Sequence, residues 1–200
     1  MKKLILICAS LLCLTACSFN SVDEGPTFKT TAPTDIKVEL KVGWLNEEKG
    51  LIEVVDKDVY INSYQKDNYN YSYFAHFDNG NYTYYTKDVL HNSDWESYVP
   101  VVTNFENMTT LDAINSLVGA ISSSYSDIFN VELINGVKSS GTAEVLGIET
   151  SIHNVANRTY WYFEGINMFL KIYDETEEEL SCEVTNYQYY KHFDDSPSFQ

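Results

Sequence analysis

The chain has 200 residues, with 13 Lys and Arg against 29 Asp and Glu, a formal net charge of −16. That balance argues against a nucleic-acid ligand, because affinity for phosphates rests on clustered Lys and Arg. The length suits a single domain with a sizeable core.

Met1-Lys2-Lys3 opens the chain with positive charge, and an uncharged apolar run follows from Leu4 to Leu14. A charged start, an apolar segment of roughly 7–15 residues and small residues before a cut describe an export signal. The run falls short of the roughly 20 apolar residues needed to span a bilayer. Leu14-Thr15-Ala16-Cys17 resembles the lipobox of bacterial lipoproteins. The resemblance implies that residues 1–16 are a signal peptide, that the mature chain begins at Cys17, and that this cysteine carries acyl chains. Each buried CH2 contributes about 0.8 kcal/mol, so two or more chains hold a soluble domain on a membrane. Ser18 after the cysteine resembles lipoproteins released to an outer membrane. In a cell with one membrane the domain would face outward from the cell membrane, and the sequence leaves both locations open.

Loss of Lys2 and Lys3 leaves 11 basic residues against 29 acids, 11 − 29 = −18. Anionic headgroups repel such a domain, so the membrane is a partner through the acyl chains on Cys17. Cys8 and Cys13 leave with the leader and Cys17 is lipidated. Cys182 therefore remains alone, no intramolecular disulfide can form, and the fold stands on its core.

Residues 17–34 read as a lipidated flexible tether, rich in Ser, Thr, Pro and acid and lacking periodicity. A single β-rich domain is expected over 35–193 and a frayed tail over 194–200. Ile36, Val38, Leu40, Val42 and Trp44 alternate with polar residues and Gly43, the period of a half-buried strand. Strands follow over Leu51–Val55 and Val59–Tyr64, parted by Asp56-Lys57-Asp58. Tyr69–Phe77 and Tyr82–Thr86 flank Asp78-Asn79-Gly80-Asn81, whose Asn-Gly pair is a hairpin signal because both residues tolerate positive φ. Leu111, Ile114, Leu117, Val118 and Ile121 recur three or four apart and predict a helix over about 110–123. Thr109-Thr110-Leu111-Asp112 supplies its capping box. A short helical or irregular piece, Tyr125–Phe129, comes next. Strands are then expected over Glu144–His153, Arg158–Glu164, Asn167–Asp174 and Glu179–Tyr190. The expected fold is α+β: an antiparallel curved sheet or half-barrel of about nine strands, with one main helix packed across it.

The order of meander, helix and meander, with Asp94-Trp95 before the helix and Leu146-Gly147-Ile148-Glu149-Thr150 and Thr159-Tyr160-Trp161-Tyr162-Phe163 after it, is similar to the LolA/LolB-type lipoprotein-carrier fold. The resemblance covers roughly residues 36–190. It implies an apolar cavity wrapped by the sheet.

Motifs for chemistry are sparse. His76, His91, His153 and His192 lack the spacing of a zinc site, and His76 and His153 fall on polar strand sides as solvated residues. No Gly-x-Ser-x-Gly elbow, P-loop or dinucleotide fingerprint is present. Cys182 reads as a buried small hydrophobe. Asp174-Glu175-Thr176-Glu177-Glu178-Glu179 could offer oxygen ligands to Ca2+ but reads as a solvated hairpin tip. The expectation is therefore a non-enzymatic protein without catalytic residues, metal or cofactor. Tyr69, Tyr71 and Tyr73 share one strand face, as do Trp161 and Phe163, and these rings either fill the core or line a pocket for a hydrophobic or amphipathic ligand. The partner would then be a lipid. Alternatively, an acidic, Tyr-rich face binds another envelope protein, since Tyr offers contact area at low entropic cost.

Overall fold

The computed structural model describes residues 25–31, 33–43, 48–65, 68–99, 108–118 and 124–198. Cys17, half of the tether, Trp44 and positions 119–123 of the expected helix lie outside the described residues. The first meander comprises β1 (Ile36–Val42), β2 (Glu48–Val55), β3 (Asp58–Gln65), β4 (Tyr69–Asp78), β5 (Asn81–Asp88) and the short β6 (Glu96–Tyr98). Two short helices follow, α1 (Thr110–Val118) and α2 (Ser124–Asp127), and then a 3-10 turn at Val131–Ile134. The second meander is β7 (Gly141–Val145), β8 (Ile148–Val155), β9 (Arg158–Phe163), β10 (Met168–Asp174) and β11 (Glu179–Tyr189).

All eleven strands form one antiparallel sheet in the order β6-β5-β4-β3-β2-β1-β11-β10-β9-β8-β7. The first and last strands meet in its middle, with Ile36 opposite Tyr189 and Val42 opposite Cys182. The two meanders run outward from that seam, and the helical segment links the outer edges.

Among the described residues the sheet has eleven strands rather than about nine. The stretch expected as one strand, Glu144–His153, is two, because Leu146 and Gly147 take φ of 56° and 74° and turn the chain back on itself. β6 is an edge strand of three residues, too short to give an alternation signal. In place of one main helix, the described residues hold α1, the single turn α2 and 3-10 turns at Val131–Ile134 and Glu164–Ile166.

Alternation explains the core. Ile36, Val38, Leu40 and Val42 of β1 are buried, as are Ile52 and Val54 of β2 and Ile61 of β3. Ala113, Ile114, Leu117 and Val118 of α1 cover this face, with α1 packed on β3 and β4. The capping box closes the helix start: the Thr109 N–H donates to Asp112 Oδ2 at 2.8 Å, and the Asp112 N–H to Thr109 Oγ1 at 3.2 Å. Tyr125 of α2 is fully buried and its ring rests on Gly50 of β2, where any Cβ would collide with it.

The opposite face of the first meander is also partly covered. Phe193, beyond β11, meets Phe74 edge-on at 4.9 Å, and Trp95 packs against Phe74 and Tyr60 at 6.1 and 6.3 Å. Lys37 Nζ lies 2.8 Å from Glu53 Oε1 and 2.7 Å from Asp194 Oδ2, and Lys87 Nζ lies 2.9 Å from Asp195 Oδ2. Asp194 and Asp195, in the stretch expected as a frayed tail, thus make contacts with the first meander.

Glu53 is fully buried. Burial raises its carboxyl pKa against the pull of Lys37. Its Oε1 lies 2.8 Å from the Lys37 ammonium, a charge-assisted contact that opposes the effect of burial.

Candidate ligand-binding site

Apolar and aromatic side chains fill the space between the sheet and the helical segment: Tyr73, Tyr82 and Tyr84 from the first meander, Tyr160, Tyr162 and Phe169 from the second, and Ile114, Leu117, Tyr125 and Ile128 between them. An opening lies instead at one end, over β7, β8 and β9. It has a volume of about 700 Å3 and is walled by Phe28, Tyr162, Phe163, Ser151, His153 and Glu149, among others. Such a volume falls within the range of small-molecule sites.

One wall comes from residues 25–31, part of the expected tether. Phe28 meets Tyr162 edge-on at 4.8 Å and His153 at 5.8 Å. Polar contacts hold this segment in place. The Gly136 N–H donates to the Pro26 carbonyl at 3.0 Å, and the Phe28 N–H donates to Asn135 Oδ1. Thr30 and Glu132 exchange hydrogen bonds at 3.2 and 3.3 Å. Asn167, at φ 51°, donates to the Lys29 carbonyl and Thr31 Oγ1 at 3.1 and 3.0 Å, and accepts from the Tyr162 hydroxyl at 2.9 Å. Tyr162 therefore serves both the cavity wall and the clasp on the incoming chain.

The cavity floor is polar. Ser151 and His153 sit two apart on β8, which puts their side chains on one face. Ser151 Oγ lies 2.9 Å from His153 Nε2, and His153 Nδ1 lies 3.0 Å from the Val137 carbonyl. A carbonyl only accepts, so Nδ1 carries a proton. In the neutral ring Nε2 then accepts from the Ser151 hydroxyl. Burial pushes the His153 pKa down, opposed by the bond to Val137.

This corrects the sequence reading of a solvated His153: the residue is 2 % exposed. His76 is partly buried, and its Nδ1 lies 2.9 Å from Asp58 Oδ2. Cys182 is fully buried with a thiol pKa raised by burial, as expected of a small hydrophobe.

The two aromatic sets singled out in the sequence do not share a site. Tyr69, Tyr71 and Tyr73 form a row along β4, with ring centroids 6.4 and 6.5 Å apart. Tyr73 is core, while Tyr71 is 38 % exposed. β9 stands six positions away in the sheet. There Phe163 lines the cavity, whereas Trp161 does not and has Lys171 Nζ 5.3 Å above its ring. Sequence reasoning missed Phe28, Ser151, His153 and Tyr162. Phe28, one of two aromatics in the Ser/Thr/Pro-rich tether with Phe19, was the available signal.

Among the described residues no group of three His, Cys, Asp or Glu is placed to hold a metal ion. None of their helices is long and apolar enough to cross a membrane. No protein-family model matches this chain, and no curated protein matches it.

Proposed function

We propose that this chain is an extracytoplasmic lipoprotein, non-enzymatic, held at a membrane through acyl chains on Cys17, whose domain binds a hydrophobic or amphipathic ligand. The observation that carries the ligand reading is the cavity of about 700 Å3 walled by Phe28, Tyr162 and Phe163 and floored by Ser151 and His153. Three rings offer apolar contact, and the hydroxyl, the imidazole and Glu149 offer orienting polar groups, the usual make-up of a small-molecule site. The ligand would sit at the end of the sheet rather than in a central hollow, since side chains fill the middle.

Kinship with the LolA/LolB-type carriers draws support from the order of meander, helical link and meander. A half-barrel curvature draws support from the helical layer, which touches β3 and β4 through α1, β11 through α2 and β8 through the 3-10 turn. One thin layer reaches strands so far apart most readily when the sheet bends round it.

Two measurements on the full chain test the proposal. Cys17→Ala should move the protein from membrane to soluble fractions, and continued membrane association would contradict the anchor. Native mass spectrometry of the detergent-extracted protein should show a bound small molecule that is lost in Thr142→Trp, which fills the cavity. An empty wild-type protein would contradict the ligand reading. A protein-binding role finds support in Tyr71 and Tyr189, the latter 75 % exposed. That reading predicts capture of an envelope protein lost on Tyr71→Ser.

A further inference from the structure

The basic residues of this acidic chain are unevenly placed. Ile36, Val38, Leu40 and Val42 of β1 point into the core, which sends Lys37, Glu39 and Lys41 to the opposite face. The register of β2 brings Lys49 to that face as well, directly opposite Lys41. A groove of about 510 Å3 runs between them, lined by Lys37, Lys41, Lys49, Asn62, Tyr64 and the single acid Glu39, along with their neighbours. Three of the 13 basic residues thus meet at one groove, in a chain where acids outnumber bases by more than two to one.

The charges there are only partly answered. Lys37 is taken by Glu53 and Asp194. Asn62 Nδ2 is spent on Asn70, Tyr71 and Ser72. Glu39 Oε1 accepts from Asn186 at 3.4 Å. Glu183 stands opposite Lys41 on the β11 side, with its carboxylate 3.7 Å from Lys171. Neither the Lys41 nor the Lys49 ammonium has an ion pair or hydrogen bond among the described residues, and the Tyr64 hydroxyl is likewise unbonded there. Like charges placed directly across a strand pair destabilise a sheet. The chain nonetheless sets two ammonium groups opposite each other, beside a free hydroxyl donor and an aromatic ring.

We infer that this groove is a second binding site, for a phosphate-bearing anion bridged by Lys41 and Lys49 and hydrogen-bonded by Tyr64. A phosphate monoester carries close to two negative charges and three acceptor oxygens at neutral pH, enough to engage both ammonium groups and the hydroxyl together. The site lies on the face opposite the core and is independent of the cavity beside Phe28. The phosphate could belong to a lipid headgroup at the anchoring membrane or to a soluble phosphorylated molecule.

Isothermal titration calorimetry on the full chain in non-ionic detergent tests this, with glycerol 3-phosphate and monomeric dihexanoyl phosphatidylglycerol as probes. Saturable binding of at least one probe is expected, weakened about tenfold or more by Lys41→Gln and by Lys49→Gln and strongly by 0.5 M NaCl. Lys57→Gln, on the β2–β3 turn, should bind as the parent does. Preference for the monoester would identify a soluble phosphate, and equal binding of the diester a lipid headgroup; both agree with the inference. The ligand-free Lys49→Gln chain should also melt higher than the parent, because a like-charge pair is gone. Absence of binding for both probes, binding unchanged by the substitutions, or a lowered melting temperature for Lys49→Gln would overturn it.

Discussion

The ring of Phe28 meets that of Tyr162 edge-on at 4.8 Å, and this contact joins the stretch leading from Cys17 to the wall of the cavity. Only seven residues separate Cys17 from Gly25, where the described chain begins to pack on the domain. In the proposed lipoprotein, the ligand site therefore shares a wall with the segment that holds the protein to the membrane. Phe28→Ala should remove the edge-to-face contacts with Tyr162 and His153, costing about 1–2 kcal/mol of stability. It should also weaken ligand retention at least tenfold. Urea denaturation and ligand content after extraction check the two effects separately.

His153 gives the fold a pH dependence with a defined sign. Its folded pKa lies below the ordinary value of 6.5 because burial disfavours the charged ring. The unfolded chain therefore takes up the proton first, and stability falls as pH drops below about 6.5, levelling off below the folded value. Urea midpoints between pH 7.5 and 5 should decline in the parent. His153→Asn should remove this part of the decline.

Phe193 and Asp194 fasten the end of the chain across the first meander. Removal of residues 191–200 would expose Phe74 and leave Glu53 and Lys37 to answer each other alone. A loss of about 2–4 kcal/mol is expected from the exposed ring and the weakened charge cluster. Asp194→Ala by itself should cost much less than the truncation, since its side chain is 65 % exposed and solvent screens its charge. Thermal melts of the two variants distinguish a packed strap from a loose end.

The β7–β8 turn holds Leu146 at φ 56°, a conformation that costs a branched side chain on the order of 1 kcal/mol and that Asn adopts more readily. Leu146 is largely exposed, so little packing is lost on replacing it. Leu146→Asn should raise stability by about 0.5–1 kcal/mol, read as a shift of the urea midpoint at constant slope.

Those same residues explain what the sequence made legible. Alternation located β1 because one face is packed and the other solvated. Asn79 and Gly80 located the β4–β5 hairpin because both take positive φ, 49° and 88°. Thr109 and Asp112 located the start of α1. The β7–β8 turn was hidden because Leu146 carries no turn signal, so an apolar run across it reads as one strand. The pairing of β1 with β11 joins residues about 150 apart, beyond any local pattern. The burial of His153 and Glu53 escaped for a related reason: each sits on the polar side of its own strand, and a distant segment, Phe28 in one case and Phe193–Asp194 in the other, covers it.

In the proposed function, the cavity beside Phe28 holds a ligand in the cell. The most direct measurement places photoreactive p-benzoylphenylalanine at Phe163, which lines the cavity, and separately at Trp161, which does not. Cells are then irradiated and the intact protein is weighed by mass spectrometry. An adduct of small-molecule mass is expected at position 163 and none at position 161. No adduct at 163, or the same adduct at both positions, would contradict that function.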